Sequence, residues 1–394
     1  MPTQKFSAND LLLKKPLLGF KKSLDVSKNN IHMKKNAAFF GMLIWVCCFS
    51  CVDRNQPIPT PNPTPAPDTT FIRAADLSFI PEAEASGCIY KKDSLPEDPL
   101  VTLKNAGCNV VRLRLWHNPS SGHSGLSEVT AMASRIHQQG MKVWLSVHFS
   151  DTWADPGAQT KPLAWQNLSF TVLNDSLNSY MTRVMNTMHP EIVQIGNETN
   201  DGLLWPEGKL STNESQCLQL MQTAINAVRA IQPTTKIILH YGGLNGASWF
   251  LGKVQQLNYD YIGLSYYPVW HGTSLNNLQS TITTLAGTFN KKVIIAETAY
   301  PFTLSWNDWT NNIVGLQNQL IPGYDASPSG QLQYLTDIKN WSKQSSVCKG
   351  FCYWGGEWVS FQGPQATNGS SWENQALWDF NNNALPAINA FNSN

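Results

Sequence analysis

The chain has 394 residues, enough for one large domain or two ordinary ones. Only 14% of them are charged and the formal net charge is +1, with no basic stripe or acidic tail, which argues against nucleic acid as a partner. Aromatic residues make up 11% of the chain, and its 15 tryptophans either fill a core or stack on sugar faces.

Residues 1–50 differ from the rest. Lys34 and Lys35 precede the apolar run AAFFGMLIWVCCFS, which closes on Cys51. A charged start and a short apolar core predict a secretory signal, too short to be a comfortable membrane span. Met33 offers a second start just before those lysines. The ending CFSC resembles a bacterial lipoprotein signal, which makes Cys51 the expected lipid anchor at the cell envelope. Residues 1–50 hold eight lysines and two aspartates, so the remainder is mildly acidic. Residues 51–70 form a linker, QPIPTPNPTPAPD, with proline at every second position from Pro57 to Pro67. Such a segment stays extended as polyproline II and holds a folded domain away from a surface. Cys88, Cys108, Cys217, Cys348 and Cys352 remain beyond it, with no CxxC pair among them and no histidines at zinc spacing. Buried free thiols are expected, with room for one disulfide.

From Phe71 to Asn394 short apolar runs alternate with longer segments of helical spacing. The strand candidates are FIRAADLSF, NVVRLRLW, MKVWLSVHF, EIVQIGNE, KIILHYGG, YIGLSYYP, KVIIAETAY and GFCYWGGEW. SEVTAMASRIHQQ before Gly140 and ESQCLQLMQTAINAVRAI before Gln232-Pro233 carry apolar residues at helical spacing. Eight such strands predict one α/β domain, residues 71–394, folded as a (β/α)8 TIM barrel. A doubly wound sheet is the rival, but no phosphate-binding glycine motif follows any strand.

In a barrel the chemistry sits where strands end. The second strand ends in Arg112, Arg114, Trp116 and His117; the third in His148, Asp151 and Trp153; the fourth in Asn197 and Glu198, before Trp205. The sixth ends in Tyr266 and Tyr267 before Trp270, the seventh in Glu297, the eighth in Trp354. Two glutamates across a small barrel mouth suit acid–base chemistry on an acetal, one protonating the departing oxygen while the other attacks or activates water. Singly, each glutamate reads as a solvated loop residue; paired at equivalent strand ends, they read as a site. Arg112 or Arg114 is placed to hold the deprotonated glutamate, Tyr266 or Tyr267 to bond it, and Asn197 to donate to a sugar hydroxyl.

The blocks HFSDTWADPGAQTKPLAW, VQIGNETNDGLLWPEG, IGLSYYPVWHG and ADLSFIPEAEASG resemble glycoside hydrolase family 53, the endo-β-1,4-galactanases, from about Ala74 to the C-terminus. The resemblance implies a retaining mechanism with Glu198 as acid/base and Glu297 as nucleophile. It also implicates Arg112, His148, Asn197, Tyr266 and Trp354 around the sugar. Trp116, Asp151, Trp153, Trp205 and Trp270 complete the expected substrate-binding set. Some members of the family hold calcium in a long loop after strand eight. Here GGEWVSFQGPQATNGSSWENQALWDF is short and lacks His-x-Asn or a run of aspartates, so no metal or cofactor is expected. The implied substrate is β-1,4-galactan or arabinogalactan, the implied state a monomer. The rival readings are a clan relative acting on another β-1,4-glycan and a non-catalytic glycan-binding lipoprotein.

Overall fold

Each of the eight runs forms a strand, because alternate residues can bury on opposite faces: β1 (Ile72–Asp76), β2 (Val110–Leu115), β3 (Lys142–Val147), β4 (Ile192–Ile195), β5 (Lys236–Gly242), β6 (Tyr261–Ser265), β7 (Lys292–Thr298) and β8 (Cys348–Tyr353). They pair in parallel in chain order, and β8 closes on β1. The expected (β/α)8 barrel is the fold. This computed structural model describes residues 71–393; the expected signal segment 1–50, the linker 51–70 and Cys51 lie outside the described residues.

Helices α1 (Pro99–Ala106), α2 (Leu126–Gln138), α3 (Phe170–Met188), α4 (Glu214–Ile231), α5 (Ala247–Val254), α6 (Leu275–Phe289) and α7 (Pro328–Gln344) follow the first seven strands. A 3-10 turn, Pro386–Phe391, takes the eighth helical place. The helices stop and start where the chain dictates. Asp98 accepts a hydrogen bond from Leu100 N–H at the start of α1, with Pro99 at its first position. In α2 the buried side chains are Val129, Met132, Ala133 and Ile136, one stripe at helical spacing, and Gly140 follows its end with φ 67°. Among the described residues no helix is long and apolar enough to cross a membrane. Cys88, Cys108, Cys217, Cys348 and Cys352 are all free thiols, and all but the half-buried Cys88 are buried.

The barrel has two kinds of interior. Its floor is apolar, packed from Ile72, Ala74, Val110, Trp144, Ile192, Ile238, Tyr261 and Ile294. Above the floor the inward positions turn polar: Asp76, Arg112, Ser146, Gln194, His240, Ser265 and Glu297, none more than 5% exposed. A buried polar layer is stable only if its members satisfy one another. The apolar floor supplies the rigidity, and the polar layer must supply something else.

Candidate active site

Arg112 organises that layer. Its Nη1 donates to Asp76 Oδ2 at 2.6 Å, and its Nη2 to Glu297 Oε1 at 2.7 Å, Asn197 Oδ1 at 2.9 Å and Ser146 Oγ at 3.2 Å. Burial alone would lower its pKa, but the charges of Glu297 and Asp76 raise it overall, so the guanidinium stays charged. Arg114 lies on the same strand face but does different work. Phe79, Trp116 and Trp153 enclose its guanidinium at 4.1–4.5 Å. Of the two arginines considered, Arg112 holds the glutamate.

Glu297 reaches the interior through an irregularity. Ile294 and Ala296 face inward, so strict alternation would turn Glu297 outward. A register shift on β7, where Leu264 pairs with Ile295 but Ser265 pairs with Glu297, brings the carboxylate in. There its Oε2 accepts from Tyr267 Oη at 2.9 Å. Thr298 then faces out, donating to Tyr266 O and meeting Tyr334 Oη on α7.

Glu198 is delivered by a bend. Gly196 and Glu198 both have left-handed φ, 76° and 47°, which end β4 and turn Asn197 and Glu198 into the mouth. A Cβ on Gly196 would lie 2.3 Å from Thr199 Cγ2, so this position takes only glycine. Opposite, Gly242 leaves room for the carboxylate, since a Cβ there would stand 2.7 Å from Glu198 Oε1. Ser265 Oγ donates to Glu198 Oε1 at 2.5 Å and lies 3.4 Å from Glu297 Oε2. That one hydroxyl lies within reach of both, so these two oxygens stand within about 6 Å of each other.

The two carboxylates share burial but differ in their direct partners. Burial and the nearby charge of Glu297 push Glu198 up to about 8, with Ser265 and Arg112 pulling the other way. Burial raises Glu297 too, but Arg112 and Tyr267 bond directly to it and favour its charged form. Glu198 is therefore the better proton carrier and Glu297 the better anion.

Around them the expected residues sort into three groups. His148 is buried and far below its usual pKa, chiefly through burial, and its Nδ1 accepts from Ala154 N–H, which leaves the proton on Nε2. Asn197 uses Nδ2 on Ala154 O and Oδ1 on Arg112. Trp354 touches Tyr267, Trp153, Trp358 and Trp372, and Trp270, 55% exposed, extends that wall outward over Tyr267 and Trp372. These form one aromatic wall. Trp116 stands edge-on to Trp153 and supports it.

One expectation is corrected, and two expected residues have other partners. Tyr266 is fully buried on the helix side of the barrel and donates to Gly272 O; Tyr261 already faces the interior on β6, so parity turns Tyr267 inward instead. Asp151 spends both oxygens on the backbone N–H groups of Asn118 and Leu163, pinning two loops. Trp205 donates to Asp201 O and lies under Lys209, apart from the aromatic wall. Tyr267→Phe is accordingly expected to slow turnover about tenfold or more, since a hydrogen bond to a charged group is lost. Tyr266→Phe should leave turnover near wild type. Equal losses in the two variants, measured as kcat, would contradict this placement.

Sequence reasoning passed over Asp76, Gln194, His240, Ser265 and Trp372. Counting inward positions along β1, β4, β5 and β6 would have found the first four. Trp372 has no such signal, because it comes from an irregular loop whose Nε1 donates to Trp354 O. Among the described residues no cluster of three or more His, Cys, Asp or Glu is placed to hold a metal.

The chain is 36% identical over 343 residues to an arabinogalactan endo-beta-1,4-galactanase of Cellvibrio japonicus, covering 82% of this chain and 91% of that protein. It is 31% identical over 374 residues to an endo-beta-1,4-galactanase of Bacillus subtilis, covering 82% and 85%. A solved Ignisphaera aggregans GH53 catalytic domain superposes with a TM-score of 0.76 at 34% identity, covering 84% of this chain and 98% of the domain. The model of glycosyl hydrolase family 53 matches residues 72–391, and the chain belongs to that family.

Proposed function

We propose that the chain is a retaining endo-β-1,4-galactanase, cutting the β-1,4-galactosidic bonds of galactan and type I arabinogalactan by double displacement. The observation that carries this reading is the pair Glu198 and Glu297, facing one hydroxyl in a buried layer, with Arg112 and Tyr267 bonded to Glu297 alone. The relatives named as galactanases support the choice of substrate.

A Glu297 oxygen attacks the anomeric carbon while Glu198 gives its proton to the glycosidic oxygen. The bond from that carbon to the leaving oxygen breaks, and an ester to Glu297 forms. Water then attacks the same carbon, Glu198 takes a water proton, and the ester bond breaks to restore Glu297. Arg112 and Tyr267 hold Glu297 as the attacking anion. In this reading His148 Nε2–H and the second hydrogen of Asn197 Nδ2 donate to sugar hydroxyls, and Trp354 and Trp270 stack on the sugar rings.

The full chain incubated with linear β-1,4-galactan, mannan and carboxymethyl-cellulose tests the reading. Short galacto-oligosaccharides from galactan alone are expected. Since Glu198 must start protonated, kcat/KM on galactan should fall as pH rises through about 8. Products from mannan or cellulose alone would overturn the substrate. No product, with binding intact, would leave a glycan-binding barrel.

Secretion, a lipid anchor on Cys51, a spacer over residues 51–70 and a monomeric state belong to the same proposal and rest on the sequence pattern. Cys51→Ser should move the protein from the membrane fraction to the soluble one. An unchanged distribution would remove the anchor.

A further inference from the structure

Beneath the two glutamates lie Gln194, His240 and Ser265, all fully buried and none of them used by the double displacement. Their hydrogen bonds have a direction, and it can be read from Arg112. A guanidinium only donates. Arg112 Nε therefore faces the oxygen of the Gln194 amide, at 3.3 Å, which turns the Gln194 nitrogen toward His240 Nδ1 at 2.9 Å. The backbone N–H of Glu198 points at the same Nδ1, at 3.3 Å. The Gln194 nitrogen shares its two hydrogens with Ser146, Gly196 and Asn197 as well, but the Glu198 backbone N–H can only donate, so Nδ1 accepts.

The consequences run outward one atom at a time. Burial, with Arg112 close by, holds the imidazole far below its usual pKa, so it is neutral and carries its single proton on Nε2. Nε2–H donates to Ser265 Oγ at 3.0 Å. Ser265 already accepts, so its own hydrogen points elsewhere, and Glu198 Oε1 at 2.5 Å takes it in preference to Glu297 Oε2 at 3.4 Å. Among the described residues Glu198 Oε2 has no hydrogen-bond partner.

We infer that Ser265, aimed by His240, is a positioning residue that holds Glu198 Oε1 as an acceptor and so keeps the transferable proton on Oε2. The inference rests on the reading of Glu198 as acid/base. It gives the buried chain a task in both steps. Before the first, it directs the acid proton to the oxygen that has no partner within the protein. After that proton has gone to the leaving oxygen, the same hydroxyl stabilises the carboxylate that must serve as base.

The sign of the effect follows. A bond donated to a carboxylate favours its charged form, so deleting the hydroxyl raises the pKa of Glu198 further. The other charged or titratable groups around Glu198 are Glu297 on β7, Asp155 after β3, Arg112 on β2, His240 on β5 and Tyr267 after β6. None of these changes in Ser265→Ala.

The test uses the full chain and linear β-1,4-galactan, whose leaving sugar hydroxyl needs the proton of the acid. In Ser265→Ala the basic limb of kcat/KM should move up by about one pH unit, and kcat at neutral pH should fall about tenfold with KM little changed. A limb that stays in place or moves down would overturn the inference. Imidazole 15N NMR of the wild-type chain provides a second reading that needs no variant. His240 should show a bare Nδ1 and a protonated Nε2, and the opposite tautomer would overturn the inference as well. Glu198→Ala assayed alongside separates the two levels. A wild-type rate there sinks the acid/base reading itself, whereas an unmoved limb in Ser265→Ala sinks only the role of Ser265.

Discussion

Glu297→Gln is expected to lose galactan hydrolysis by several orders of magnitude while the protein stays folded. The substitution keeps the shape of the side chain and removes the charge. Its amide oxygen can still accept from Arg112 Nη2, where Glu297 now does so at 2.7 Å, and its nitrogen can donate to the Tyr267 hydroxyl. Asp76 remains 2.6 Å from the guanidinium, so Arg112 is not left as an unpaired buried charge. What disappears is the nucleophile, because an amide does not form the ester that splits the reaction into two steps. Release of reducing ends measures the rate, and a thermal melt confirms the fold. A wild-type rate in the purified, folded variant would remove Glu297 from the chemistry.

Glu198→Ala should match that loss on galactan but behave differently on an activated substrate. An aryl galactoside with a good leaving group needs little protonation, so the first step persists and the galactosyl ester on Glu297 accumulates for want of a base. Azide needs no base. It should enter the space vacated beside Gly242, attack the anomeric carbon and displace Glu297, giving a β-galactosyl azide. Restored turnover with the β product identifies Glu198 as the acid/base of a retaining enzyme. An α-azide would mean inversion, and no rescue at all would leave Glu198 without the assigned task.

Much of this site is legible in the amino-acid sequence. Glu198 and Glu297 can be placed at strand ends because the runs EIVQI and KVIIAET are β-branched, apolar and followed by polar residues. A barrel gathers every such end on one rim. Trp354, Trp270, Trp153 and His148 follow by the same logic. The polar layer below the rim is harder to see. Gln194 and His240 read as ordinary strand residues, and Ser265 as a small one. Each gains meaning only from the neighbour it meets across a strand boundary.

The sequence by itself determined the eight-strand rhythm, the helices between and the identity of the two carboxylates, because periodicity and strand ends are local properties of the chain. The tertiary structure alone decided which inward residue meets which. Closure of the barrel places Arg112 on β2 beside Asp76, Asn197 and Glu297, while Arg114, two residues further along the same face, lies among Phe79, Trp116 and Trp153. The register shift on β7 turns Glu297 inward against the alternation that would send it out. Parity on β6 gives the site Tyr267 rather than Tyr266. In each case the physical reason is the same. A side chain's face is set by its strand's register, but its height and partners are set by the stagger of eight strands that must close on one another.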